Sequence, residues 1–208
     1  MIFPAKNPLK EFFLRNYFHH IVKTDFHSFN YNTDWQIEEK GLLLLGNHFS
    51  WWDGFIPYYL NKLFLKKNFH IIMLEDELRK RPFFRYVGSY SIQPQSRSVI
   101  DTINFTAQLL QNPKNMVVLF PQGKIQSLFA DELLFEKGAL KIIEKAGKDN
   151  IQVVFNTTLI DYLANRKPSL YLYLKPYKVP ENITPEQFKY DFMAHYKESK
   201  QRQGTLRA

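Results

Sequence analysis

The chain contains no cysteine. Disulfides, thiolate metal sites and a cysteine nucleophile are therefore excluded at the outset. It also lacks an apolar run of the roughly 18 residues that a membrane-spanning helix needs. Its first residues have no uninterrupted hydrophobic core of the signal-peptide kind, so the expected location is the cytoplasm, on the side of the membrane where the chain is made. Several catalytic signatures are missing as well. There is no Gly-x-Ser-x-Gly elbow, no Walker loop, no dinucleotide-binding glycine triplet and no His-Glu-x-x-His. Neither a metal nor an organic cofactor is expected.

What is present suffices for one domain with a sizeable core: 208 residues, of which 45% are hydrophobic. Lysine and arginine number 28 against 20 acids, a net charge of +8. Such a surplus suits nucleic acid, an anionic membrane surface or an acidic cofactor, and charge alone does not choose among them. Its distribution is more telling. Residues 7–23 carry Leu9, Phe12, Phe13, Tyr17 and Ile21 at near-helical spacing, with Lys10, Arg15 and Lys23 elsewhere on the wheel. This predicts an interfacial amphipathic helix, although a surface helix packed on its own domain carries the same pattern. Residues 25–40 read as a connector, so residues 1–40 are expected to form a docking segment for an anionic membrane surface. No nucleic-acid partner is expected.

The most informative stretch follows. Leu42, Leu43, Leu44 and Leu45 form a short run suited to a buried strand, and Gly46-Asn47 is a turn signal that releases the chain at its end. Ser50 stands as a helix N-cap and Asp53, three residues on, where a capping box wants an acid. His48 and Asp53 are thereby placed on one strand-to-helix turn. The carboxylate can accept from one ring nitrogen and leave the other free as a base. Spacing alone is a weak signal, because His20 and Asp25 share it in a plain helical segment. Taken singly, His48 also reads as a turn histidine and Asp53 as a helix cap. What distinguishes them is a second block, Val117-Val118-Leu119-Phe120-Pro121-Gln122-Gly123-Lys124, again a strand running into a Pro-x-Gly turn.

Asn47-His48-xxxx-Asp53, followed 73 residues after the histidine by Pro121 in Phe-Pro-Gln-Gly, resembles the glycerolipid (lysophospholipid) acyltransferase superfamily, with its NHxxxxD and FPEG signatures. Glu77-Leu78 through Gly88 to Ile92 and Arg97 is similar to the middle block of that family. The resemblance spans about residues 42–156 and implies an acyltransferase domain over residues 41–208, of the 1-acylglycerol-3-phosphate acyltransferase type. It implies His48 as general base and Asp53 as its orienting acid, with Arg97, Gln122, Gly123 and Lys124 toward the acceptor. The implied substrates are an acyl thioester donor, acyl-CoA or acyl carrier protein, and a lysolipid or other lipid alcohol. Peripheral attachment to the inner face of the membrane follows. Trp51 and Trp52 are candidates for an acyl pocket, although two aromatics at a helix start more often belong to the core.

Two departures bear on substrate. Gln122 stands where the pattern has glutamate, keeping shape and hydrogen bonding and losing charge. Lys124-Ile125 stand where it has Thr-Arg, so a bidentate phosphate partner is missing there. These favour a neutral or amino-acid-derived lipid alcohol over a phosphorylated acceptor. A thioester or lipid hydrolase, and a catalytically impaired membrane-binding module, are the competing readings.

The remaining pattern sets the fold class. Strands are expected at residues 70–74, 88–92, 117–120, 151–155 and 170–174, and helices at 75–85, 98–111, 131–148 and 185–200. Alternation of this kind argues a single α/β layered domain, a mostly parallel central sheet flanked by helices, with the amphipathic helix added at the N-terminus.

Overall fold

The computed structural model describes residues 1–94 and 96–207. Seven strands form one sheet: β1 (Phe29–Tyr31), β2 (Gly41–Gly46), β3 (Asn68–Leu74), β4 (Ser89–Ile92), β5 (Asn115–Leu119), β6 (Ile151–Asp161) and β7 (Ser169–Tyr177). Their order is β1-β7-β6-β2-β5-β3-β4. All pairings are parallel except β6 with β7.

β2 lies at the centre because its leucines can be buried on both faces. Every one of its residues is inaccessible, as expected of a strand covered on two sides. Leu42 and Leu44 point to one face, against Phe18 and Val22 of α1 (Pro8–Asp25) and Phe55 and Ile56 of α2 (Phe55–Leu60). Leu43 and Leu45 point to the other. There they meet residues of α4 (Ser98–Leu110), α5 (Gly138–Ala146) and α6 (Pro185–Gly204), including Leu110, Leu140, Phe188 and Phe192. Each such leucine contributes roughly 1.5–3 kcal/mol of burial.

Three segments differ from the sequence expectation. Within the expected connector, Phe29–Tyr31 forms β1, and beyond it Asn32 bonds both the carbonyl and the N–H of Leu174 through its side-chain amide. The helix expected over 131–148 is only Gly138–Ala146. Ahead of it, the N–H groups of Leu134 and Glu136 are taken by Gln126 Oε1 and the Pro121 carbonyl, outside any helical ladder. The helix expected over 75–85 is α3 (Glu75–Lys80) followed by a 3₁₀ segment, Pro82–Val87. Arg81, before the proline, is driven out of helical geometry at φ −130° and ψ 63°.

α1 buries Phe18, His19 and Val22 and turns Leu9, Phe12, Phe13 and Tyr17 outward. Lys67, just ahead of β3, donates through Nζ to the carbonyls of Lys40 and Pro113. Burial pushes its pKa down.

Candidate active site

The site lies where parallel β2 and β5 end side by side, the edge of an open α/β sheet at which ligand sites form. Leu45 is in register with Leu119, so Gly46 and Phe120 leave the sheet together. A Cβ on Gly46 would lie 3.0 Å from the Phe120 ring. The absent side chain lets that ring stack on His48, with centroids 4.7 Å apart and planes 15° from parallel.

Asn47 anchors the turn from below. Buried, it donates through Nδ2 to the Thr158 carbonyl at 3.0 Å and accepts the Thr158 N–H through Oδ1 at 2.7 Å. Its amide thus continues the pairing of β2 with β6 one residue past Gly46↔Asn156.

Asp53, 3% exposed, faces back into the turn. Its Oδ2 lies 2.6 Å from His48 Nδ1 and accepts the N–H groups of Phe49 at 2.6 Å and Ser50 at 2.8 Å. Its Oδ1 accepts the Ser50 hydroxyl at 3.2 Å, while Ser50 Oγ caps the Trp52 N–H at 3.1 Å. This is the expected capping box, with the imidazole added to it. A carboxylate surrounded only by donors places the imidazole proton on Nδ1 and leaves Nε2 as an acceptor. Nε2 has no hydrogen-bond partner among the described residues, and the His48 side chain is 25% exposed. The His20/Asp25 pair behaves differently: both are exposed, and Asp25 Oδ1 accepts from Thr24 rather than from the ring.

The second block meets the first as its spacing suggests, but Gln122 does not face outward. It is 1% exposed, its Oε1 accepts the His48 N–H at 2.6 Å, and its Nε2 donates to the His48 carbonyl and Gln126 Oε1, both at 3.1 Å. The Gln122 side chain, expected toward the acceptor, is turned inward and grips the His48 peptide. Gly123, at φ +70°, turns the chain where any other residue would be strained, and its N–H bonds the Phe120 carbonyl at 3.2 Å. Gly123 and Lys124 are exposed on this turn. Arg97 is exposed beside the first turn of α4, past the end of β4. Two strands, β5 and β3, lie between β4 and β2 in the sheet, and no hydrogen bond joins the Arg97 side chain to His48, Asp53 or Gln122 among the described residues.

Of the two tryptophans, Trp52 packs on Phe26 at 4.9 Å and belongs to the core edge. Trp51 is exposed and lies against Phe55, itself 4.7 Å from Phe18 of α1. A cavity of about 420 Å³ lined by Leu140, Ile143, Lys148 and Glu181 lies at the other end of the sheet, beside the loop that enters β6. It is remote from His48. No cluster of three or more His, Asp or Glu side chains is arranged to hold a metal ion among the described residues.

Reasoning from sequence did not assign roles to Phe120, Asn47 or Gln126. Phe120 had a visible signal, an aromatic residue at the exit of a strand adjoining a functional turn. Asn47 was legible only as a turn residue, because its side chain bonds Thr158 far along the chain; Gln126 bonds Gln122 and Leu134 within an irregular loop, which leaves no periodic pattern.

The histidine–aspartate turn at the end of the central strand and the Phe-Pro-x-Gly turn at the end of its neighbour both lie in one stretch that carries a family match. Residues 28–159 match the family described as Acyltransferase, and the chain belongs to that family. In structure it is similar to the 1-acyl-sn-glycerophosphate (LPA) acyltransferase PlsC from Thermotoga maritima, with a TM-score of 0.62 at 15% identity, over 97% of this chain and 85% of that one. No curated protein matches it in sequence.

Proposed function

We propose that this protein transfers a fatty acyl group from a thioester, acyl-CoA or acyl carrier protein, to a hydroxyl of a lipid acceptor. The observation that carries the reading is His48, bonded through Nδ1 to a buried carboxylate and unpartnered at Nε2 on an accessible strand end. In the reaction Nε2 takes the proton of the acceptor hydroxyl as its oxygen attacks the thioester carbonyl. The tetrahedral intermediate then collapses, the carbon–sulfur bond breaks, and the imidazolium returns the proton to the departing thiolate. Asp53 holds the ring and stabilises its charged form. General-base assistance of this kind is worth roughly 10² to 10⁴ in rate.

The developing oxyanion needs donors. Those of Phe49 and Ser50 are spent on Asp53 and that of Gly123 on Phe120. The N–H groups of Lys124 and Ile125 are without partners among the described residues and are the donors we assign.

The acceptor we favour is a neutral or amino-acid-derived lipid alcohol. Near His48 the turn offers Lys124 as a point charge and an exposed Ile125, no guanidinium fork for a phosphate. The enzyme is proposed to work on the cytoplasmic membrane surface, peripherally, through the outward face of α1. No described helix is long and apolar enough to cross a membrane.

The test is thiol release from acyl-CoA and acyl carrier protein by purified protein, with a panel of lysolipid and alcohol acceptors. Acceptor-dependent release is expected, reduced at least about 10²-fold in His48→Ala and Asp53→Asn. Release independent of acceptor would mean a hydrolase. No release, with membrane binding retained, would mean an impaired docking module.

A further inference from the structure

Gln122 and Gln126 are held in defined orientations by backbone donors. The His48 N–H requires oxygen at the end of Gln122 it meets, and the Leu134 N–H, at 2.8 Å, requires oxygen at the end of Gln126 it meets. Gln122 Nε2 is therefore turned toward two oxygens, the His48 carbonyl and Gln126 Oε1. The backbone N–H of Gln126 also donates to the His48 carbonyl, at 2.9 Å. Both ends of the His48 residue's backbone are thus gripped by one loop, and both lone pairs of its carbonyl are filled.

We propose that Gln122 and Gln126 are positioning residues, a neutral amide pair that fixes the backbone of His48, and through it the direction of Nε2, and that requires an amide rather than an acid at position 122. The proposal rests on His48 being the base described above. A carboxylate at position 122 could accept the His48 N–H but would set its second oxygen against two others, with no proton between them. The charged groups around that spot are the His48–Asp53 pair at the exit of β2, Glu136, whose side chain lies beside Gly123, and Lys124 on the same turn. Asp53 and Glu136 further disfavour a third carboxylate. Gln126 is the reason glutamine, and not the glutamate of the resembling family, fits here. Its oxygen, committed to Leu134, calls for a donor opposite.

The sign of the pH effect follows. In Gln122→Glu the new carboxyl keeps its proton to higher pH when folded than when unfolded, near 4.3. Its protonated form can donate as the amide does. Relative to the natural sequence, the variant is least impaired at low pH and loses stability as pH rises.

The experiment compares the natural sequence, Gln122→Glu and Gln126→Ala by unfolding midpoint and by steady-state acyl transfer between pH 5 and 8. At pH 8 Gln122→Glu is expected to lose about 10- to 100-fold in kcat, the scale of an ångström-sized misplacement, with KM within about twofold. Its deficits in midpoint and kcat should both narrow toward pH 5. Should that variant fail to fold, Gln126→Ala decides, with kcat expected to fall severalfold and KM to hold. An unchanged kcat in Gln126→Ala, equal or better turnover in Gln122→Glu at pH 8, or a midpoint deficit that ignores pH would overturn the proposal. If the natural sequence transfers no acyl group, the proposed function fails while the midpoints still judge the clamp.

Discussion

His48 stands apart from the other histidines of the chain by its surroundings. Burial drives the pKa of His19 and of His195 down to about 4, and lowers that of His70. Those rings are packing elements, and His20 and His27 are exposed without a carboxylate on the ring. His48 alone combines an acid at one nitrogen, access at the other and an aromatic face against its ring. The residue most open to a direct test of that last feature is Phe120. Phe120→Leu keeps apolar bulk over Gly46 and removes the stacked plane, so kcat is expected to fall about tenfold through misorientation of the ring. Thermal unfolding should change little, and an unaltered kcat would remove Phe120 from the site.

At the scale of elements, asparagine side chains complete strands that the backbone leaves short. Asn47 does so for β2 against β6 and Asn32 for β1 against β7. The first is what brings His48 to a fixed height above the sheet. The packing of α6 on β7 carries a pH dependence. His195 on α6 donates from Nε2 to the Tyr173 carbonyl at 2.9 Å, with Lys175 and Glu198 as its charged neighbours. Its folded pKa, about 4, lies below the unfolded value of roughly 6.5, so the unfolded chain binds the extra proton first. Stability from this group is complete above about pH 6.5 and is lost as pH falls toward 4. Chemical denaturation of His195→Gln, which retains a donor for Tyr173, should show a shallower loss over that window; an identical profile would assign the loss to other groups.

Across the whole molecule, α1 packs beside the candidate site through its buried face. The aromatic contacts Phe18–Phe55 and Phe55–Trp51 join the helix to the His48–Asp53 turn. Phe129, 90% exposed, stands on the loop that follows Gly123. Exposed Leu9, Phe12 and Phe13 on α1, on a chain of net charge +8, suit an anionic bilayer. Inserting one phenylalanine is worth roughly 1.5–3 kcal/mol. The double variant Phe12→Ser with Phe13→Ser should therefore weaken sedimentation with anionic vesicles by at least about 10²-fold. Its unfolding midpoint should not move, since both side chains are exposed; undiminished binding would exclude α1 as the contact.

The sequence by itself determined the α/β architecture and the placing of His48 and Asp53 on one strand-to-helix turn, because both depend on local physics. Apolar runs of strand length, turn residues at their ends and a capping acid three residues from its serine are all short-range signals, and they placed His48 and Asp53 correctly on one turn. Only the tertiary structure decided which way Gln122 points, that two strands stand between β4 and β2, that a strand hides among residues 25–40 and that the helix over 131–148 begins at Gly138. Each of these turns on a hydrogen bond or register between segments distant in the chain, where a polar side chain takes whatever partner the fold brings to it.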